Sequence, residues 1–472
     1  MRKQLYIHGE WLEAKEYRPL YSPYNGEQIA EIPYADAAEV EMAIASAENA
    51  RPIMAKMPAH QRADILERLA QLLEKKADEA ARIIALEAAK PLSTAKGEVA
   101  RTIMTYKFAS QEARRIHGET IPMDAAPGGE DRIAFTIRQP LGVVAAITPF
   151  NFPMNLVAHK VGPAIAAGNT IVLKPATQTP LSSLFLAELL HEAGLPAGAF
   201  NVVTGSGSTV GEQLIADDRV KVITFTGSPA VGIGIRNKAG LKRVTLELGS
   251  NAALIVDEGT DVDTILSRAI MGAFAFAGQV CISLQRVYVH EKMYDEFVEK
   301  FVEKTKNLTL GDPMDPATEV SALISPKDVE RSLDWIEEAK QKGAIVAAGG
   351  QRNGNILEPT VLLNVDPQAK VSCQEVFAPI VLINKVASVD EAIRYVNDSR
   401  YGLQAGIYTN NVFTALRAAE SLEVGGVMVN DIPTFRVDHM PYGGVKESGV
   451  GREGLKYAVE EMTEMKLVCL KK

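Results

Sequence analysis

Residues 141–175, LGVVAAITPFNFPMNLVAHKVGPAIAAGNTIVLKP, decide the fold of this chain. Two short runs of β-branched and small apolar residues, VVAAIT and TIVLKP, flank a loop and a helical segment. The prolines and polar residues between them would not be carried by a membrane helix, so we expect no membrane span. A strand, a helix and a second strand, with both strands apolar throughout, predict a βαβ unit in a parallel sheet covered on both faces.

The same alternation continues toward the C-terminus. Helical patterns separate the further strand-like runs FNVVTG (200–205), VKVITFTG (220–227) and VTLELG (244–249). The second half shows the same alternation, with the strand-like run ISLQRVYVH (282–290), a helix around 295–308 and the strand-like run GAIVAAGG (343–350). Residues 37–116, by contrast, are mostly helical. The pattern predicts an α/β protein built on doubly wound parallel sheets.

Size, charge and cysteine content limit the possible functions. A chain of 472 residues is longer than one hydrophobic core usually serves, so we expect two or three domains. A net charge of −9, with no dense Lys/Arg block, argues against a nucleic-acid partner. Cys281, Cys373 and Cys469 have neither zinc spacing nor the density of a disulfide framework. The N-terminus, MRKQLYIHGEW, has charge but no following apolar run. A reducing, cytoplasmic location is expected.

Two glycine-rich turns follow predicted strands. VTGSGSTVG (203–211) carries Gly207 and Gly211 close to a dinucleotide fingerprint, but its last spacing is one residue too long, and an ordinary glycine turn fits equally well. In VITFTGSPAVG (222–232), Gly227 and Ser228 precede a helix whose first turn accommodates Pro229. We expect Ser228 to cap this helix and its free N–H groups to suit a phosphate.

Polar residues stand at the ends of other predicted strands. Glu247 lies between two leucines in TLELGS (245–250). Two interpretations fit this position: a carboxylate exposed to solvent, or a base whose pKa is raised by desolvation. Lys174 and Thr177 in KPATQTP (174–180) follow a strand at the edge where ligands bind in open parallel sheets, although a solvated lysine is the simpler interpretation of Lys174 alone.

An asparagine and a cysteine complete the set of candidates. Asn151 is flanked by prolines in TPFNFPM (148–154) and serves either as a turn former or as a fixed amide donor to an oxyanion. Cys281 sits in the apolar run FAGQVCIS (276–283). A lone cysteine in such a run is more often a packing residue than a nucleophile, and only the rest of the chain changes that balance.

Seven motifs together resemble the aldehyde dehydrogenase superfamily. They occur in the family's order between residues 148 and 454: TPFNFPM, KPATQTP, FTGS, LELGS, GQVC, EVFAP and PYGGVKESGVGREG. The resemblance implies that Cys281 attacks the aldehyde carbon, and that the Asn151 amide and the Cys281 backbone N–H hold the oxyanion. It further implies that Glu247 activates water to hydrolyse the resulting thioester.

The resemblance also implies a nicotinamide cofactor. By similarity Lys174 bonds the adenosine ribose, Ser228 and the following helix start bind the pyrophosphate, and Glu375 and Phe377 of EVFAP hold the nicotinamide ribose and ring. Taken from the residues alone, EVFAP is only an acid before an apolar loop. The other residues expected around the cofactor are Thr148, Pro149, Phe150, Thr177, Gly207, Gly211, Phe225, Thr226, Gly227, Leu248 and Gly249.

Three departures from the family pattern bear on this assignment. Many NAD-using members have a glutamate at the position of Thr177. A carboxylate there repels a 2′-phosphate, whereas a hydroxyl donates to one, so we expect NADP to be preferred and NAD to be accepted. Ser250 and Ala378 stand where glycine is usual, which affects fine loop geometry rather than the reaction.

The substrate is less well defined by the sequence. Arg101, His159, Gln285, Arg436 and His439 are candidates to face the aldehyde. A solvated helix face for Arg101 and a core histidine for His159 are equally good interpretations.

Two arginines and a histidine in one pocket favour a polar or anionic aldehyde. The loop TFRVDHMPYGG (434–444) resembles the subgroup acting on lactaldehyde, glyceraldehyde-type and phosphono- or sulfo-aldehydes. Val280 stands where members handling glyceraldehyde 3-phosphate usually have arginine. We expect a short 2-hydroxyaldehyde of the lactaldehyde or glyceraldehyde type; semialdehydes, phosphono- and sulfo-aldehydes are the alternatives.

Two rival functions and a domain division complete the expectations. A CoA-acylating dehydrogenase generally lacks the base at Glu247, and a non-catalytic relative generally loses the nucleophile or the base.

The predicted domain division places a dinucleotide-binding domain at 1–117 and 141–249, a catalytic domain at 250–446, and a β extension for oligomerisation at 118–140 and 455–472. By resemblance, the last strand joins a partner's sheet in a homodimer or homotetramer.

Overall fold

The computed structural model describes all residues from 1 to 472, and the N-terminal 140 residues combine small strands with four long helices. The elements are β1 (Leu5–Ile7), β2 (Glu10–Leu12), β3 (Glu16–Tyr21), β4 (Gln28–Tyr34), α1 (Ala37–Lys56), α2 (Ala59–Lys75), α3 (Ala77–Ala88), α4 (Leu92–Ala113), β5 (Thr120–Ile121) and β6 (Arg132–Pro140).

Strands and helices alternate in residues 141–249. They are β7 (Val143–Ile147), α5 (Asn155–Ala167), β8 (Thr170–Lys174), α6 (Leu181–Glu192), β9 (Phe200–Val202), α7 (Glu212–Ala216), β10 (Val220–Thr226), α8 (Pro229–Lys238) and β11 (Arg243–Glu247).

The remaining residues form a second set of elements. They are β12 (Ala253–Val256), α9 (Val262–Phe274), β13 (Arg286–His290), α10 (Glu291–Lys306), α11 (Pro326–Gln341), β14 (Ile345–Ala348), β15 (Arg352–Asn353), β16 (Ile356–Leu357), β17 (Thr360–Leu363), α12 (Lys370–Cys373), β18 (Ile380–Val386), α13 (Val389–Asn397), β19 (Tyr401–Gly402), β20 (Gln404–Tyr408), α14 (Val412–Ser421), β21 (Gly426–Val429), β22 (Val445–Lys446), β23 (Gly449–Val450), α15 (Leu455–Glu461) and β24 (Thr463–Lys471).

The first sheet has the order β2-β1-β9-β8-β7-β10-β11-β23. Its five central strands are parallel, and β7, α5 and β8 form the predicted βαβ unit. Every residue of β7 and β8 is buried, because helices cover both faces. Helix α5 ends where Gly168 adopts a left-handed conformation (φ +86°), which a residue without Cβ does at little cost.

The second sheet has the order β14-β17-β18-β13-β12-β20-β21, and only its β14 edge is antiparallel. An apolar core of its own lies under α9, α10 and α11. The predicted α/β class with two sheet domains is therefore confirmed. None of the helices combines the length and the apolar character needed to cross a membrane.

The C-terminal residues differ from the predicted division. Helix α15 packs on α4 and α5, and its Leu455 and Val459 are buried in the first domain's core. Strand β23 pairs with β11 at the edge of the first sheet. Strand β24 pairs along nine residues with β6 of its own chain, in the order β24-β6-β5, which leaves its other edge open. Pairing of that open edge with a second subunit stays a prediction.

Candidate active site

A cavity of about 990 Å³ lies where the carboxyl ends of the first sheet's strands face the second domain. Its lining contains most of the residues that the sequence assigned to cofactor and chemistry: Thr148, Pro149, Phe150, Asn151, Lys174, Gly207, Gly211, Phe225, Thr226, Gly227, Ser228, Gly249, Cys281, Glu375 and Phe377. The structure thus brings residues up to 229 positions apart in sequence (148 and 377) to one cavity.

The start of α8 forms a cradle in this cavity. A Cβ on Gly227 would lie 2.5 Å from the Phe225 ring, so only glycine leaves the backbone this close to the strand end. Ser228 occupies the N-cap position, but its side chain makes no capping hydrogen bond, contrary to the sequence expectation. Its hydroxyl and the first N–H groups of α8 are consequently available to an anionic group.

Lys174 lines the same cavity as this cradle. Its ammonium is largely buried and donates only to the Pro175 carbonyl, at 3.1 Å. Burial lowers the pKa of Lys174 to about 8. Thr177 is outside the lining, and its hydroxyl donates to Oε1 of Gln178, which does line the cavity. Leu248 is also outside it and packs under α8, where a Cβ on Gly232 would lie 2.4 Å from its side chain.

Glu375 and Phe377 stand at the inner end of the cavity. The Glu375 carboxylate accepts a hydrogen bond from the Ser250 N–H at 3.0 Å, and a Cβ on Gly249 would lie 2.3 Å from it. Burial raises the pKa of Glu375 to about 7. Phe377 adopts a positive φ of 51° and meets Phe150 edge to face, with ring centroids 5.7 Å apart.

Cys281 follows a strained turn. Phe276, Ala277 and Gly278 have φ values of 49°, 52° and 69°, a left-handed run that costs free energy and is typical of functional loops. Gly278 is required there, because a Cβ would lie 2.2 Å from the Ala378 carbonyl oxygen. Burial, with the Glu375 and Glu247 carboxylates nearby, raises the pKa of the Cys281 thiol.

Asn151 is held next to the cysteine loop. Its Nδ2 donates to the carbonyl of Gln279 at 2.9 Å, two residues before Cys281. An amide nitrogen has two N–H bonds, so one donor remains for an oxygen in the cavity. Both side chains line the same space, which is the arrangement an oxyanion site requires.

Glu247 is the last residue of β11, and both of its carboxylate oxygens are buried without a hydrogen-bond partner. Burial raises the pKa of Glu247 well above its usual value, and the negative charge of Glu453 raises it further. Gly443 comes close enough that a Cβ there would lie 3.0 Å from Oε1. An unpaired buried carboxylate of this kind is suited to accept a proton.

The substrate candidates from three separate segments meet in one network, which is buried except at Arg101, whose side chain is 32% exposed. Asp438 accepts from Arg101 at 2.6 Å and lies 2.8 Å from Nε2 of His159. Arg436 donates to Glu453 at 2.8 Å and lies 3.3 Å from His159. The guanidinium also stacks on the Tyr442 ring at 3.6 Å, and Cys281 packs against the apolar cluster that contains Tyr442. The network therefore adjoins the thiol.

Two of the sequence candidates lie outside this network. Gln285 is buried, and its amide group bonds only to backbone atoms, the carbonyls of Val371 and Gln374 and the N–H of Val376. It supports the loop before Glu375 instead of facing a substrate. His439 is exposed and stacks on Phe108, with ring centroids 4.8 Å apart.

Sequence reasoning missed several members of the site. Asp438, Glu453 and Lys160 lie in the buried network, and only Lys160, a charged residue within the apolar helix α5, had a signal in the sequence. Asp328, Arg331 and Trp335 line the cavity from α11. Their helix has an ordinary amphipathic pattern, so nothing local distinguished its cavity-facing residues.

Comparisons with known proteins agree with this geometry. A model of the aldehyde dehydrogenase family matches residues 11–468. The chain is 49% identical over 466 residues to a 3-sulfolactaldehyde dehydrogenase of Priestia aryabhattai, covering 99% of this chain and 97% of that one. It is 39% identical over 470 residues to a lactaldehyde dehydrogenase of Methanococcus maripaludis, covering 99% of both.

A solved structure is similarly close. Glyceraldehyde-3-phosphate dehydrogenase of Methanocaldococcus jannaschii, complexed with NADP, is 40% identical and superimposes with a TM-score of 0.94 over 97% of this chain and all of the other. Fold and site define a dinucleotide-dependent oxidoreductase. The chain belongs to the aldehyde dehydrogenase family, and it is an NAD(P)-dependent enzyme that oxidises aldehydes.

Proposed function

We propose that this enzyme oxidises a short 2-hydroxyaldehyde that carries a single negative charge, of the 3-sulfolactaldehyde kind, to the carboxylic acid with NADP. The observation that carries the proposal is the charge of the buried network beside Cys281. Sulfonate bears one negative charge at neutral pH, and an enclosed site for it needs an excess of one positive charge.

The network supplies that excess. Arg101, Arg436 and Lys160 contribute three positive charges, and Asp438 and Glu453 contribute two negative ones. Although burial opposes ionisation, the His159 hydrogen bond and the charge of Arg101 hold the pKa of Asp438 well below its usual range. Lys160 and Arg436 likewise hold the pKa of Glu453 low.

The balance counts the five groups joined by ion pairs and leaves out His159 and Glu247. Burial and the neighbouring Arg436 lower the pKa of His159, and burial raises that of Glu247. One positive charge is therefore uncompensated. The Arg436 guanidinium also keeps a buried Nε–H without any partner, which leaves a directed donor for an anionic oxygen.

The names of two relatives support this choice of substrate. The relative with 49% identity is named for 3-sulfolactaldehyde. Lactaldehyde is the same molecule without the sulfonate, and the 39% identical relative is named for it. Both names fall in the class of short 2-hydroxyaldehydes. The charge of the network favours the sulfonated member.

The residues along the cavity fit an NADP molecule. The cradle at Gly227 and Ser228 suits the pyrophosphate, and the buried Lys174 has only one hydrogen-bond partner. No carboxylate occupies position 177, and the Thr177 hydroxyl would be the group available there to a 2′-phosphate. The related structure from Methanocaldococcus jannaschii holds NADP.

In the proposed reaction the Cys281 thiolate attacks the aldehyde carbon, and the carbonyl π electrons move to oxygen. The free N–H of Asn151 and the Cys281 backbone N–H hold that oxyanion. When bound, the oxidised nicotinamide accepts the hydride that leaves this carbon. The acyl group is then a thioester on Cys281. Glu247 takes a proton from water, the water oxygen attacks the acyl carbon, and the Cys281 thiolate leaves.

A substrate panel tests the proposal. Initial rates with NADP are measured for 3-sulfolactaldehyde, lactaldehyde, glyceraldehyde 3-phosphate and propanal. We expect the highest kcat/KM for 3-sulfolactaldehyde, about 30- to 150-fold above lactaldehyde, since a buried charge pair contributes about 2–3 kcal/mol. Equal values for the two, or a higher value for propanal, would contradict the anionic pocket.

The matched variant is Arg436→Gln. It should lower kcat/KM for 3-sulfolactaldehyde by about 100-fold and that for lactaldehyde by less than about 5-fold, because lactaldehyde has no sulfonate for Arg436 to bind. A similar loss for both substrates would show that Arg436 supports the fold of the site and not the recognition of charge.

A further inference from the structure

Lys90 is a fully buried lysine that the proposed mechanism does not use. It follows α3, and its Nζ donates to the Glu98 carboxylate and, at 2.6 Å, to the backbone carbonyl of Asn151. Neither Lys90 nor Glu98 has a side chain accessible to solvent. Burying both charges is expensive, and replacing such a pair by apolar residues is often neutral or stabilising. Stability alone does not account for the pair.

The Lys90 ammonium touches both loops of the reaction centre. It lies 3.7 Å from the ring centroid of Phe152, which follows Asn151 in its loop. It lies 4.5 Å from the ring centroid of Phe276, which begins the left-handed turn before Cys281. A cation over a ring face is attracted to it, and here one cation faces a ring from each loop.

Glu98 fixes the other end of the Asn151 loop. Its Oε1 accepts from the backbone N–H groups of Met154 at 2.9 Å and Asn155 at 3.1 Å, at the start of α5. The ion pair therefore holds the Asn151 loop at its carbonyl and at its exit into the helix. The remaining contact, from Asn151 Nδ2 to Gln279, joins this loop to the cysteine loop.

We propose that Lys90, paired with Glu98, is a positioning residue for the reaction: it holds the Asn151 loop against the Cys281 loop so that the free amide N–H of Asn151 faces the acyl oxygen. The inference rests on the oxyanion role of Asn151 in the proposed function. Oxyanion donors act only at about 2.7–3.1 Å from the reacting oxygen, so a small shift of the loop removes most of their effect.

A double-mutant cycle tests it. The variant Lys90→Met with Glu98→Gln removes the ion pair without leaving a buried unpaired charge. Its kcat for lactaldehyde with NADP is measured alone and in combination with Asn151→Ala. We expect Asn151→Ala to lower kcat about 100-fold and the ion-pair variant about 10- to 100-fold. In the Asn151→Ala background the ion-pair variant should cost less than about 3-fold, because its effect passes through that amide.

The outcomes separate the two ideas. Equal losses in both backgrounds would overturn the positioning role and leave the oxyanion role intact. An unchanged kcat in Asn151→Ala alone would overturn the oxyanion role in the proposed function, and this inference with it. Asn201→Ala is the control, since this buried amide bonds backbone groups at residues 8, 171 and 198, away from Asn151, and its effect should be equal in both backgrounds.

A second variant keeps the test decisive if the first one fails to fold. Lys90→Gln with Glu98→Gln leaves no buried charge, retains an acceptor for the two backbone N–H groups, and removes the cation from the two rings and from the Asn151 carbonyl. It enters the same cycle with the same expectation of non-additive losses. Additive losses for it would also contradict the positioning role.

Discussion

Glu247 illustrates how a single residue acquires reactivity from burial. A carboxylate at a strand end is ordinarily solvated, but here the segment around Gly443 and Glu453 covers it and leaves both oxygens without partners. Burial, followed by the charge of Glu453, raises its pKa well above the usual value. The base form is the ionised one, so we expect hydrolysis of the thioester to be lost as the pH falls through this raised pKa.

The pH dependence gives a residue-level prediction. Glu453→Gln removes the negative charge next to Glu247 while Lys160 and Arg436 keep their positive charges. The pKa of Glu247 should fall, and the acid limb of the kcat profile should move to lower pH. An unmoved acid limb, or a shift toward higher pH, would show that Glu247 is not the group that titrates.

Thr177 carries the cofactor prediction. Replacing it with glutamate places a carboxylate beside Gln178 at the rim of the cavity, where it repels a 2′-phosphate and can accept from a ribose hydroxyl. In Thr177→Glu the ratio of kcat/KM for NADP to that for NAD should fall about 10- to 100-fold. The same ratio in wild type and variant would contradict the assignment, and Thr177→Ser is the control expected to keep the wild-type ratio.

Among elements, the loop between α12 and β18 depends on a side chain from a neighbouring strand segment. Gln285 bonds the backbone at Val371, Gln374 and Val376, and Glu375 lies between the last two. Gln285→Leu leaves those buried groups unsatisfied and loosens the loop. We predict a KM for NADP raised about 10-fold or more, because Glu375 loses its fixed position. An unchanged KM, measured at constant aldehyde, would contradict this supporting role.

A second element-level prediction concerns Glu87, which ends α3 and caps α6. It accepts from the N–H groups of Leu181 and Ser182, and burial raises its pKa to about 8. The folded state therefore binds a proton that the unfolded state loses above about pH 4.5. Stability from this group should fall as the pH rises from about 4.5 to 8.

Glu87→Gln tests that sign. The glutamine keeps an acceptor and cannot ionise, so its stability relative to wild type should increase between pH 5 and pH 8, by an amount on the order of a few kcal/mol. The midpoint of urea unfolding for both proteins across this range is the measurement. A constant or decreasing difference would contradict the raised pKa.

Elements were predictable where the sequence pattern is local. The βαβ unit follows from two apolar runs and the helix between them, because covered parallel strands exclude polar residues over their whole length. The placement of α15 was not predictable in this way. Its buried residues Leu455 and Val459 show only an apolar stripe, and the partner that the stripe packs on, α5, lies almost 300 positions earlier in the chain.

On the scale of the whole molecule, the same limit explains what the sequence missed in the site. Cys281, Glu247 and Asn151 were predicted because their motifs occur together in a family order. Asp438 joins Arg101, His159 and Asn155 across separations of 337, 279 and 283 positions, and no local pattern indicates such a contact. Long-range charge pairing becomes visible only once the two domains are assembled.

The molecular surface provides a prediction about assembly. The three-stranded extension exposes Ile133 and Phe135 on β6 and, on the same face, Leu470 on β24, and the outer edge of β24 has no partner in the chain. We propose that this face and edge join a second subunit in a homodimer or homotetramer. Deleting the last eight residues should reduce the molar mass measured by light scattering to that of a smaller assembly. An unchanged mass would contradict this role.

The covalent route through Cys281 is the central claim, and pre-steady-state kinetics of Glu247→Gln test it most directly. Rapid mixing of this variant with NADP and 3-sulfolactaldehyde, or lactaldehyde, is followed by absorbance of the reduced cofactor and by intact-protein mass. We predict a burst of about one reduced cofactor per subunit, little further turnover, and an acyl adduct that maps to Cys281. Continued turnover at the wild-type rate, or a burst without any adduct on Cys281, would contradict it.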